Sequence, residues 1–305
     1  MKSNPSDDGR PDRLRQGSGG PPEGSAKAAG LRDDAESLPV ELADAIDRGR
    51  PRLGRLASQT LFFPTIGSTN DVAAARSASL SGERAEGLVV IADEQTSGRG
   101  RRGHTWFSPA GSGLYVSVVL APARARVDPP RATVLLTLTA GVALAEGVEA
   151  ATGLRVALKW PNDLQVSRRK LAGILAEGSA TGGVAESVVV GYGINVASTA
   201  FPPELRDRAT SLESELGRPV DRHHVLVETL ASLARRYQDL LDGRFDAILD
   251  AWRRLAPAAS GARVTWTTMA GTLEGVTGGI DDRGALLVRI DDRVERIVSG
   301  EVTWL

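Results

Sequence analysis

Large apolar side chains are nearly absent from the first 37 residues, which are dominated by Gly, Pro, Ser, Asp and Arg, and become regular after them. The first stretch predicts a disordered tail, because it cannot bury enough apolar surface to offset the entropy of ordering. Order is expected from Leu38, where 39–46 has helical spacing. Phe62 and Phe63 enter a strand expected to stop at Pro64. Ser68 or Thr69 can cap a helix over 71–78. Continuous apolar runs at 87–92 and 113–120 predict buried strands, with a Gly/Arg loop at 97–103 between them. A long helix follows over 131–151, stopped by Gly153. Strands at 156–160 and 171–177 flank a polar turn, and a strand at 186–191 leads into Gly193, Ile194 and Asn195. Val225, Leu226, Leu230, Leu233, Tyr237 and Leu241 share a face of a helix over 221–241, and Trp252 and Leu255 close this region.

The period changes at 257–261. Beyond it lie short strands at 263–267, 271–276, 285–290, 295–299 and 302–304, separated by Gly278-Gly279, Asp282-Arg283-Gly284 and Asp291-Asp292. The pattern predicts an α+β fold: a mixed, mostly antiparallel sheet with helices on one face (38–257), then a small all-β barrel (258–305).

Composition narrows the chemistry. A net charge of −1 gives no global attraction to nucleic acid or an anionic membrane. No apolar run approaches the ~18–20 residues expected of a bilayer span, and the N-terminus lacks the apolar core of a signal peptide. With no cysteine, thiolate nucleophiles, disulfides and Cys-based zinc sites are excluded, which fits a cytoplasmic protein. Lysine occurs only at 2, 27, 159 and 170, and asparagine only at 4, 70, 162 and 195. A chain that otherwise prefers Arg and Asp keeps these residues where their replacements do not serve, which makes them functional candidates. Turn chemistry is the plainer account of any single Asn. The three histidines form no metal pattern: His104 lies in the Gly/Arg loop and His223-His224 open a helix.

Four segments carry the candidate chemistry. Gly98-Arg99-Gly100-Arg101-Arg102-Gly103 combines backbone freedom with forked cationic donors, as an anion-binding loop requires. It has neither P-loop nor dinucleotide-fingerprint spacing. So rich in glycine, it is expected to order only when its arginines gain an anionic partner. Lys159-Trp160-Pro161-Asn162-Asp163 with Arg169-Lys170-Leu171-Ala172-Gly173-Ile174-Leu175 places both body lysines near small residues that leave room for a ligand ring. Gly191-Tyr192-Gly193-Ile194-Asn195 and Gly67-Ser68-Thr69-Asn70 are weak alone, as a strand end and a helix cap.

In this order the motifs resemble those of the biotin–protein ligases, over about residues 60–305. The resemblance implies a class II synthetase-like catalytic fold with an SH3-like C-terminal domain. It implies that biotin and ATP form biotinyl-5′-AMP, with Mg²⁺, and that biotin passes to a lysine of a biotin carboxyl carrier protein, such as that of acetyl-CoA carboxylase. By resemblance, Ser68, Thr69 and Gln95 bind the ureido head, and Asn70 and Gly173 complete the biotin site. Arg99, Gly100 and Arg101 fold over the biotinyl phosphate. Lys170, with Arg101, carries the catalysis by holding the carboxylate and then the acyl phosphate. Arg102 and Trp106 serve the nucleotide, and Asn162, Asp163 and Asn195 position phosphates, Mg²⁺ or the loops. No metal ligands are assigned. With some 30 orderable residues before Ser68, no helix-turn-helix domain is expected. The reading is therefore a monofunctional ligase, a monomer or weak homodimer that binds no DNA. The alternatives are a lipoyl ligase or octanoyltransferase on the same catalytic fold, and a biotin-responsive transcriptional regulator.

Overall fold

A computed structural model describes residues 35–305 except 81, 182, 183, 198–200, 269, 270 and 301. The expected tail, 1–37, lies outside the described residues up to 34. At its end the Glu36 N–H donates to Phe62 O (3.0 Å), so order starts slightly before Leu38.

The chain runs through α1 (Val40–Leu53), β1 (Gln59–Ile66), α2 (Thr69–Leu80), β2 (Leu88–Gln95), β3 (Gly113–Leu120) and α3 (Pro129–Thr152). Next come β4 (Ala157–Lys159), β5 (Asp163–Val166), β6 (Arg169–Thr181), β7 (Val184–Asn195), α4 (Leu212–Leu216), α5 (Arg222–Leu241) and α6 (Phe245–Leu255). Strands β1–β7 form one sheet in the order β1-β2-β3-β7-β6-β5-β4, with β1 and β2 parallel and all other neighbours antiparallel. The strand expected to stop at Pro64 runs through it to Ile66. It is an edge strand, where a missing N–H costs no ladder bond.

Helices cover both faces of this sheet, not one. Alternate residues of β2 and β7 feed two separate cores: Val89, Ile91, Val188, Val190, Tyr192 and Ile194 join α3, α5 and α6. Leu88, Val90 and Val189, with Val119 of β3, pack instead against Val72 and Ala73 of α2. Every position of β3 is buried, as a strand covered on both faces must be. Helix α3 is long and apolar enough to cross a membrane, contrary to the reading of its sequence, but it is mostly buried in the core. It crosses α5 closely: a Cβ at Gly147 would stand 2.5 Å from Thr229 Cα.

The C-terminal unit is a five-stranded antiparallel sheet, β11-β10-β9-β8-β12: β8 (Ser260–Thr268), β9 (Gly271–Ile280), β10 (Leu286–Ile290), β11 (Arg293–Ile297) and β12 (Val302–Trp304). Strand β11 sits two residues earlier than the sequence suggests, because Asp291-Asp292 make a tight turn with Asp291 at φ 49°. This unit docks on the first through Trp160 Nε1, which donates to Gly284 O (2.9 Å), and Arg131 Nε, which donates to Asp282 O (3.0 Å).

Candidate active site

On the α2 face the central strands carry small or polar residues where the opposite face is apolar. Gly191, Gly193 and Asn195 alternate with the buried Val190, Tyr192 and Ile194 on β7, and Gly173 and Gly193 are register partners across β6 and β7. The result is the floor of a cleft of about 550 Å³, walled by α2, the Gly/Arg loop, the β4–β5 turn and β12.

Lys170 reaches this cleft through an irregularity in the ladder. The register with β5 steps from Leu164↔Ala172 to Gln165↔Lys170, which leaves Leu171 as an extra residue. Leu171 and Ala172 both enter the core, so the alternation reverses and Lys170 falls on the same face as Gly173. A Cβ at Gly173 would stand 3.2 Å from Lys170 Nζ. Nζ also lies 2.8 Å from Asp163 Oδ1 and 5.4 Å from the centre of the Trp106 ring. The backbone of Lys170 is fixed by Arg208 and Thr210: its N–H donates to Arg208 O (2.7 Å) and its carbonyl accepts from Thr210 N (2.9 Å).

At the other end of the cleft, Ser68, Thr69 and Asn70 are buried at the start of α2. Gln95 Oε1 accepts from Thr69 N (2.9 Å) and Thr69 Oγ1 (3.2 Å), and Gln95 Nε2 donates to Ser108 Oγ (3.0 Å). The Gln95 amide is thereby held at both ends, which gives this pocket fixed donors and acceptors.

The Gly/Arg loop is a hairpin closed by its own backbone. Gly100 N donates to His104 O (2.7 Å), Trp106 N donates to Gly98 O (2.9 Å), and Arg99 bridges Thr105. These bonds give the loop a regular form from its own backbone. Its arginines diverge. Arg99 pairs with Asp71 and Glu177, and these carboxylates together outweigh burial and hold its pKa above the ordinary value. Arg101 is half-buried, and Nη1 makes a long bond to Asn162 Oδ1 (3.4 Å). Burial first, then the charge of Arg102, lower its pKa against the pull of Asp163. Arg102 is exposed and has a left-handed backbone (φ 56°). Trp106 lies on the strand glycines, and its Nε1 is buried without a hydrogen-bond partner among the described residues.

Residues 62–195 match the biotin/lipoate A/B protein ligase family, and residues 259–303 match the biotin protein ligase C-terminal domain. The biotin–[acetyl-CoA-carboxylase] ligase of Paracoccus denitrificans is 37% identical over 229 residues, 73% of this chain and 90% of the relative. The chain belongs to the biotin protein ligase family. The bifunctional ligase/repressor BirA of Bacillus spizizenii is 39% identical over 219 residues, but the match spans 66% of that protein's length. Among solved structures, the biotin protein ligase of Aquifex aeolicus in complex with biotin and ATP superposes with a TM-score of 0.68. It is 28% identical, and the match covers 81% of this chain and 99% of that one.

Every residue expected in the biotin protein ligase site lines this one cleft: Ser68, Thr69, Asn70, Gln95, Arg99, Gly100, Arg101, Arg102, Trp106, Asn162, Asp163, Lys170, Gly173 and Asn195. Two of them are committed to supporting contacts. Asn162 Nδ2 donates to Ile174 O (2.6 Å) and Asn195 Nδ2 donates to Thr210 O (3.0 Å), which hold the β4–β5 turn and the 207–210 segment beside the cleft. Sequence reasoning missed Ser117, a fully buried hydroxyl beneath Thr69 and Asn70, and Glu177. For Ser117 there was a signal: one polar residue inside the apolar run 113–120. It also missed the C-terminal wall, where Lys159 Nζ lies 5.0 Å from the centre of the Trp304 ring and Arg168 Nη2 donates to Trp304 O (3.1 Å).

Proposed function

We propose that this chain joins biotin to ATP as biotinyl-5′-AMP and transfers the biotinyl group to a lysine of a biotin carboxyl carrier protein, such as that of acetyl-CoA carboxylase. Residues 38–257 form the catalytic part and 258–305 the C-terminal part. The observation that carries the reading is one cleft with a neutral hydrogen-bonding end (Ser68, Thr69, Gln95) and a cationic end (Arg101, Lys170), separated by an apolar floor of Gly173, Gly193 and Trp106. A ureido ring offers two N–H donors and a carbonyl, which the first end can satisfy, and burying them unsatisfied would be costly. The valeryl tail fits the floor, and its carboxylate reaches Lys170. The carboxylate oxygen attacks the α-phosphorus and pyrophosphate leaves. The carrier amine then attacks the acyl carbon, an amide forms, AMP leaves and the ammonium proton goes to solvent. Lys170 and Arg101 lower the barrier by facing the charge that develops on phosphate oxygens.

Among the described residues no group of three or more His, Asp or Glu side chains could hold a metal. The cleft is lined by Asp163, already paired with Lys170, and by Asp207. These residues do not build a Mg²⁺ cage. Mg²⁺ is proposed to arrive on the triphosphate with its waters, as this ion commonly does.

Biotin is preferred to lipoate because the C-terminal sheet matches the biotin protein ligase C-terminal domain. The match spans 90% of the Paracoccus denitrificans relative, which is named as a ligase alone, and a monofunctional cytoplasmic enzyme without DNA binding is the form proposed. The test is incubation with ATP, Mg²⁺, a carrier domain and either biotin or lipoate. Biotin on the carrier lysine is the expected product. Lipoylation alone, or no acylation, overturns the reading.

A further inference from the structure

Glu177 takes no part in the chemistry above, yet it touches both Asn70, beside the head-group end of the cleft, and Arg99 of the Gly/Arg loop. It lies on β6 opposite Val189 of β7, on the α2 face. One carboxylate oxygen, Oε2, accepts from Asn70 Nδ2 (2.8 Å). The other, Oε1, pairs with Arg99, the first arginine of the Gly/Arg loop, whose second guanidinium nitrogen holds Asp71 on α2. Asn70 has little freedom to leave this arrangement. It lies flat against β7, where a Cβ at Gly191 would stand 1.9 Å from its Oδ1.

The connection continues inward. Ser117 Oγ lies 2.6 Å from Asn70 Oδ1 and 2.8 Å from Thr69 Oγ1, and Thr69 holds Gln95. A serine hydroxyl has one proton, so Ser117 can donate to only one of these acceptors at a time. A ligand that donates to Thr69 Oγ1 would free that proton for Asn70 and steady the amide that holds Glu177.

Resting on the ligase reading, we propose that Glu177 is a positioning residue: it latches the Gly/Arg loop through Arg99 and, through Asn70 and Ser117, ties that latch to the biotin head-group pocket. The loop hairpin keeps its internal bonds either way. What the latch sets is whether the hairpin lies against α2 and β6 or swings away from them.

The test compares limited trypsin cleavage after Arg101 and Arg102 in the full chain for wild type, Glu177→Gln, Arg99→Gln and the double variant, with and without biotin. Without ligand, each single substitution is expected to speed cleavage roughly three- to tenfold, since the pair is half exposed. The double variant should cleave no faster than the faster single, because both act through one ion pair. Biotin should slow cleavage in wild type and lose much of that effect in Glu177→Gln. Wild-type cleavage of Glu177→Gln, or a double variant equal to the product of the singles, overturns the proposal. If Glu177→Gln does not fold, Asp71→Asn removes the exposed arm of the same latch. It should still speed cleavage, and an unchanged rate counts against the latch. Because the unliganded comparison needs no turnover, the latch and the ligase reading can fail separately.

Discussion

The indole of Trp106 lies against the backbone of Gly193 so closely that a Cβ there would stand 2.2 Å from its Nε1. That nitrogen is buried without a partner among the described residues, so the ring is held by shape and leaves a donor for a ligand. Gly193→Ala should push the ring off the floor while leaving the sheet intact. Overpacking of this kind costs ~1–3 kcal/mol, so biotin affinity should fall roughly five- to hundredfold. Titration calorimetry measures it, and unchanged affinity would remove Trp106 from the ligand wall.

Lys170→Arg should lose at least about a hundredfold in biotin incorporation, with little change in melting temperature. The extra residue at Leu171 aims Lys170 at a compact site between Asp163 and Trp106. A planar guanidinium is longer and cannot place one point charge there. Pyrophosphate release separates a defect in activation from one in transfer. Turnover within a few-fold of wild type would show that charge alone suffices.

The two faces of that result differ in how far they could be read ahead. Lysine scarcity together with the Lys170-Leu171-Ala172-Gly173-Ile174-Leu175 context singled out Lys170, because a residue type used four times marks itself. Its orientation was not legible: 169–175 reads as a plain strand, and strict alternation with Gly173 and Leu175 would put Lys170 on the opposite, core face. Only the bulge, a property of pairing with β5, turns it round. Amphipathic α5 was legible because its period is local. The placement of α2 across the sheet from α3 was not, since β3 is apolar at nearly every position and offers no face to choose. Glu177 was invisible for a related reason: its partners lie 78 and 107 positions away.

Acid should destabilise the fold through Glu146. Burial of this α3 carboxylate raises its pKa, but hydrogen bonds from Arg236 and Arg235 of α5 outweigh burial and leave it below the ordinary value. A folded pKa below the unfolded one gives stability that is present above the unfolded value, about 4.3, and is lost as pH falls through the folded value. Glu146→Gln should therefore lower the melting temperature at pH 7 and differ less from wild type as pH drops below about 4. Melting curves from pH 3 to pH 7 check it, and a constant gap would show that the glutamate acts by packing.

On the proposed ligase reaction, Arg101→Gly should release the adenylate. Arg101 is half-buried beside a second arginine, and its side-chain bond to Asn162 is long at 3.4 Å. A guanidinium held this way gains most from an anion arriving in the cleft, and biotinyl-AMP brings one phosphate. A charge-assisted hydrogen bond contributes ~1.5–3 kcal/mol, so its loss should speed escape roughly 10–100-fold. Activation on phosphorus should persist in part, because Lys170 remains. The escaped mixed anhydride would then acylate any exposed amine in reach. Among the described residues the enzyme offers two lysines, Lys159 and Lys170, and both line the cleft. Wild type, Arg101→Gly and Arg101→Ala should each be mixed with serum albumin, ATP, Mg²⁺ and biotin, and the albumin blotted with streptavidin. Both variants should label albumin more strongly than wild type. If only the glycine variant does so, loop flexibility and not the lost charge opens the cleft. If neither does while both still form adenylate, the phosphate is retained by other groups and Arg101 is not the gate.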